Sequence, residues 1–228
     1  MSRTLNVVRM QFVNKQTYVW VPLLVLGGAF VLSLAIFAMV PYDGVKVGGG
    51  TYAPLWYFLV VGVQSLTLTF PFSQAMSVSR REFFLGTLLA AAATSAMLAL
   101  IFMVGGLIEE ATNGWGMNGY FFYLQWIWAD GPLAAFFVYF VTAMMFFVTG
   151  FWSATIYKRF GSLWLTAVLV GIGALLVAVI WLVGFADAWV AAFTWFGQQG
   201  ALGLALWGVL LGAVLAGTSF LILRRATP

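Results

Sequence analysis

Residues Ser79–Glu110 read SRREFFLGTLLAAAATSAMLALIFMVGGLIEE. Two arginines and a glutamate stand at one end and two glutamates at the other. Between them run the 26 residues Phe83–Ile108, without one ionisable side chain. A helix needs about 20 apolar residues to cross the hydrocarbon core of a bilayer. A continuous run argues against a membrane barrel, whose strands alternate in polarity. Five further runs repeat the pattern: Tyr18–Val40, Ala53–Phe72, Leu133–Ile156, Leu163–Phe185 and Ala201–Leu223. The sequence therefore predicts an all-α polytopic membrane protein, a single transmembrane domain over 1–228 with six spans.

Composition agrees. The chain is 64% hydrophobic and 7% charged, with a mean hydropathy of +1.04. A soluble domain needs more polar surface than this, so lipid must be the solvent for most of the chain. The ten basic residues flank apolar runs, so topology rather than nucleic acid explains the pI of 9.6. Arg3, Arg9, Lys15, Arg80, Arg81, Lys158, Arg159, Arg224 and Arg225 fall on one set of ends. Asp43, Glu109, Glu110, Asp130 and Asp187 fall on the other, with Lys46 as the single base there. Basic loops stay in the cytoplasm, which predicts that both termini are cytoplasmic.

The spans exclude several kinds of chemistry. The chain has no Cys and no His, and with them go thiolates, disulfides and the commonest proton shuttle and metal ligand. No acid sits mid-span to couple transport to an ion. No catalytic constellation, metal-ligand pattern or P-loop is present, so no catalytic or metal residue is expected. If this chain drives work, another subunit must supply the energy.

Segments between the spans carry more information. Ser2–Gln16 reads as a helix lying in the membrane interface, with Leu5, Val8 and Phe12 as its apolar stripe. A solvated leader that only sets topology is the alternative. Ser79-x-x-Glu82 is a capping box immediately before an apolar run. It places Arg80 and Arg81 in a first helical turn, where the helix dipole disfavours cations. Two bases fixed there can meet an acidic partner surface or simply set topology. Glu109–Pro132 is too aromatic for a free loop, and should lie on the outer leaflet or pack against span ends. Asp187–Gln199 carries Trp189, Phe193, Trp195 and Phe196 and reads as a re-entrant hairpin. Both segments fit an outer gate or interfacial anchoring. Within the spans the polar candidates for a substrate path are Gln64, Ser65, Thr67, Thr69, Thr142 and Thr149. Hydroxyls in membrane helices often bond their own backbone instead. Gly208-x-x-x-Gly212 is a candidate packing motif.

Together these features resemble a type-2 ABC-transporter permease, the bacterial export class with the ABCG-like transmembrane fold. The resemblance covers the six-span layout, the N-terminal helix and the aromatic excursion before the last span. Its most specific piece is the Ser79–Gly86 segment, similar to the family's coupling-helix region. Thr87 stands where many members carry Lys, and Ser77–Val78 where Pro is common. The resemblance implies a permease subunit in the bacterial plasma membrane, exporting a hydrophobic or amphipathic substrate. It implies a second permease chain, identical or a paralogue, with spans two and five at the shared axis. It also implies an ATP-binding cassette ATPase that holds ATP and Mg and docks on Gln74, Ser79, Arg80, Arg81, Glu82, Phe83 and Phe84. This chain itself would carry no cofactor. The competing readings are a non-transporting scaffold, sensor or immunity subunit, and an ion-coupled carrier.

Overall fold

The computed structural model describes residues 3–13 and 15–224. Ser2, Asn14, Arg225 and the side chain of Arg3 lie outside the described residues. The chain forms α1 (Arg3–Val13), a π turn (Gln16–Trp20), α2 (Val21–Met39), β1 (Lys46–Val47) and a 3-10 turn (Gly49–Tyr52). Then follow α3 (Ala53–Thr67), α4 (Thr69–Ala75), α5 (Arg80–Ala111), β2 (Gly119–Tyr120), α6 (Pro132–Phe160), α7 (Ser162–Phe185) and α8 (Trp189–Leu223). Six helical stretches are long and apolar enough to cross a membrane: Gln16–Met39, Gly49–Ala75, Arg80–Ala111, Pro132–Phe160, Ser162–Phe185 and Trp189–Leu223. The protein is thus an all-α, multi-pass membrane protein, and the expected runs lie within these helical stretches, except that Val40 falls one residue past the first.

Local chemistry sets the helix ends. Proline occupies the first turn of α2, α3 and α6, where its missing N–H costs nothing. The second span breaks between α3 and α4. Pro71 has no N–H to offer the Thr67 carbonyl four residues back, and its ring crowds that carbonyl. Gly161, at φ 86°, turns the chain directly from α6 into α7.

The centre of the molecule is α6, packed against α3, α5 and α8. Two glycines bring α3 and α6 into backbone contact. A side chain at Gly62 would collide with the Phe147 carbonyl, and one at Gly150 with the Leu59 carbonyl. Small residues do this between membrane helices, where dispersion between close backbones replaces the hydrophobic drive. Gly208 and Gly212 seat α8 on Val141 and Met145 of α6. By contrast, α7 has no buried residue at all.

Two expectations change, and one pair of alternatives is decided. The face of α1 that packs on the bundle carries Val7 and Gln11, each 1% exposed, whereas Leu5 is 51% exposed. Val8 and Phe12 only border the packed face. The reason is that Gly86 of α5 has no side chain and admits Val7, while Gln11 finds hydrogen-bond partners. Of the two readings of Glu109–Pro132, packing against span ends is the one that holds: Phe121, Phe122, Leu124, Ile127 and Trp128 are buried in the core. Within the 187–199 segment, residues 189–199 form one helical arm of α8 rather than a hairpin, bent from the last span at Gly200 (φ 60°, ψ −177°).

Candidate functional site

At the basic end, the turn between α4 and α5 is built as its sequence predicts. Ser79 Oγ accepts the Glu82 N–H at 3.2 Å, and Glu82 Oε2 accepts the Ser79 N–H at 3.1 Å. Gln74 donates its amide to the Val78 carbonyl at 3.1 Å, closing the turn. Phe83 and Phe84 point inward: Phe83 meets Phe70 of α4, and Phe84 meets Phe220 of α8. Arg80 is not a free base. Its Nη1 donates to the Arg224 carbonyl at 2.6 Å and the Leu223 carbonyl at 3.3 Å. It thus caps the C-terminus of α8, the end that the helix dipole makes negative. That use accounts for a cation in the first turn of α5. Arg81 is exposed.

Beside this turn, α1 is fastened by a buried amide that sequence reasoning placed on the wrong face. Gln11 Nε2 donates to Thr87 Oγ1 at 2.8 Å and Thr69 Oγ1 at 3.0 Å, and Gln11 Oε1 accepts from the Tyr18 hydroxyl at 2.8 Å. One side chain joins α1, the π turn, α4 and α5. π turns recur at functional hinges. The hub joins residues as far as 76 apart in the chain, and nothing local to Gln11 marks it.

The candidate path residues are not gathered into one constellation. Ser65 donates to the Gly62 carbonyl, Thr67 to Val63, Thr69 to Ser65, Thr142 to Val138 and Thr149 to Met145. All but Thr69 satisfy their own helix, the commoner fate of such groups; Thr69 bonds across the break to α3 and also belongs to the Gln11 hub. Gln64 is half-buried, and its side chain has no hydrogen-bond partner among the described residues.

The acidic end holds the arrangement the sequence did not reveal. Glu109 is fully buried near the end of α5. Its carboxylate accepts the N–H groups of Phe121 (3.0 Å), Phe122 (2.7 Å) and Tyr123 (2.8 Å) and the Trp115 indole N–H (2.8 Å). Successive backbone N–H groups around an anion form a nest. The chain reaches it through a left-handed turn, with positive φ at Asn113, Gly114, Trp115 and Gly116. For Asn113 and Trp115 this conformation costs roughly 1–2 kcal/mol per residue, offset by the bonds to Glu109. The Phe122 carbonyl in turn accepts from the Tyr139 hydroxyl and the Trp128 indole. Thr51 donates to the Phe121 carbonyl at 2.6 Å, and β1 pairs with β2 in parallel, Lys46 opposite Gly119. Phe30, Phe102, Phe121 and Phe122 stack around this knot. The outcome is a cap over the ends of α2, α3, α5 and α6 on the acidic side. Next to it lies an open cleft of about 710 Å³ with Tyr52, Gln125 and Trp126 in its wall. Burial, with the Glu110 carboxylate beside it, holds the Tyr123 phenol above its ordinary value.

In the bent arm, Trp189 stacks on Phe193, and Trp195 meets both Phe196 and Trp207. Trp189, Phe193, Trp195 and Phe196 all remain exposed. Among the described residues no group of three acidic side chains could hold a metal ion.

In comparisons with known proteins, the chain matches no protein family, no curated protein and no solved structure.

Proposed function

We propose that the chain is the membrane-spanning subunit of an ATP-driven exporter of hydrophobic or amphipathic molecules. A separate ATP-binding cassette subunit docks on its basic, cytoplasmic end. The observation that carries this reading is the Gln11 hub. It makes α1 and the α4–α5 turn one mechanical body, so a push on residues 74–84 reaches α1, the first span and α5 together. Arg81 is an exposed base on that body, and an acidic docking surface is its natural complement.

A second chain completes the permease. Support comes from α7, which buries nothing within one chain and aligns Ala167, Gly171, Ala174 and Ala178 on one face. Small faces of this kind let membrane helices approach closely. The bent arm after α7 and the Glu109 cap then flank the outer mouth.

The test is gentle-detergent purification of the tagged chain from its host, with mass spectrometry of what stays bound. A stoichiometric P-loop ATPase is the expected result. Recovery of the chain alone, across several detergents and nanodiscs, would overturn this reading and favour a scaffold or an ion-coupled carrier.

A further inference from the structure

The basic end carries more positive charge than the fold uses. Arg80 is spent on the α8 terminus, but Arg81, Arg159 and Arg224 have no carboxylate partner among the described residues. They gather where α5, α6 and α8 end. One cleft of about 440 Å³ is lined by Arg159, Leu221, Ile222 and Arg224. A second, of about 650 Å³, is lined by Arg80, Arg81, Phe220 and Arg224. Arg224 lines both clefts. Aromatic rings hold two of these groups in place: Arg159 lies 4.7 Å from the Phe160 ring centre and Arg224 5.9 Å from that of Phe220. Guanidiniums held close together repel one another unless an anion sits between them, and their fork geometry suits phosphate oxygens.

A second observation lies in the same seam. Toward the membrane centre, α5, α6 and α8 leave an almost wholly apolar groove of about 270 Å³, lined by Leu88, Met144, Met145, Val148, Gly212 and Ala216 among others. Leu88 is seven residues from Arg81 on α5, two helical turns along the same face. On α8, Ala216, Phe220 and Arg224 follow at intervals of four. The end of the groove at Ala216 lies about 12 Å from Arg224 by helical rise, with the half-buried Phe220 ring between them. A charged cradle at the helix ends, with an apolar slot one phospholipid backbone deeper, is the outline of a lipid.

We propose that this seam binds one anionic phospholipid of the leaflet at the basic end. Its phosphate sits between Arg159 and Arg224, which line one cleft, and an acyl chain lies in the groove between α6 and α8. The site stands independently of the exporter reading, because it needs no partner protein.

The test is native mass spectrometry of the full chain in mild detergent, offered equal amounts of phosphatidylglycerol and phosphatidylethanolamine. The wild type should retain one phosphatidylglycerol in preference. Arg159→Gln with Arg224→Gln should weaken that retention about tenfold or more, leaving phosphatidylethanolamine unchanged. Ala213→Leu, which fills the groove from its exposed edge, should weaken both lipids. Equal retention of the two lipids by the wild type overturns the proposal. So does phosphatidylglycerol retention by the double variant that equals the wild type. Unchanged lipid binding together with loss of an acidic protein would assign the arginines to a protein surface instead. Circular dichroism and elution profile confirm that each variant is folded before its lipid is read.

Discussion

Glu109 Oε2 accepts the backbone N–H of Phe122 at 2.7 Å, in a site where both residues are buried. The bond ties the end of a spanning helix to a loop thirteen residues further on, and two more backbone N–H groups converge on the same carboxylate. Glu109→Gln exchanges one acceptor oxygen for an amide that faces donors. The expected cost is about 3 kcal/mol, read as a lower Tm in detergent and faster proteolysis within residues 112–131. A variant as stable and as protected as the wild type would show that the nest does not hold the cap.

At the opposite end, Gln11→Leu keeps the bulk of the side chain but removes three hydrogen bonds. The Tyr18, Thr69 and Thr87 hydroxyls lose their shared partner, at an expected cost of about 1–3 kcal/mol. Amide hydrogen exchange should quicken across α1 and leave α6 unchanged. If the exporter reading holds, the same variant should also lower transport per ATP hydrolysed, because the docking turn no longer moves α1.

The arginines at the start of α5 should separate by function. Arg80→Glu removes the cap from α8 and places a negative charge against its carbonyls, so it should lower Tm. Arg81→Glu should leave Tm unchanged and reduce retention of an ATPase partner about tenfold. Equal ATPase retention by Arg81→Glu and wild type, in side-by-side pull-downs, would remove Arg81 from the docking surface.

Glycines divide in the same way. Gly62→Ala forces α3 away from the Phe147 carbonyl and should destabilise by about 1–3 kcal/mol. Gly171→Ala on α7 meets nothing within 4 Å, so it should leave the single chain's stability unchanged. Gly171→Leu should lower the fraction of paired chains in cross-linking or mass photometry if α7 forms the shared axis. Unaltered pairing would move the axis elsewhere.

How much of this was legible follows from the range of the forces involved. The six spans could be read directly, because burying an unpaired charge in hydrocarbon is so costly that ionisable residues mark the ends. The Ser79-x-x-Glu82 cap was legible for a different reason: all its partners lie within three residues. The gathered glycines of α8 showed their packing role because small size alone permits close approach.

The rest needed the tertiary structure. Residue type alone made Leu5 look like the buried side of α1 and Gln11 the wet one. Which face packs was decided by the empty space above Gly86 and by hydroxyls on α4 and α5. Arg80 looked misplaced until the α8 terminus, 143 residues away, came beside it. Glu109 read as a charge at a span end, and only the folding of residues 115–123 back over it made a buried nest. Polarity along the chain determined where helices cross the membrane. Pairing between distant residues decided which polar groups the interior keeps, because a buried hydrogen bond depends on a partner that the residue's own neighbourhood does not contain.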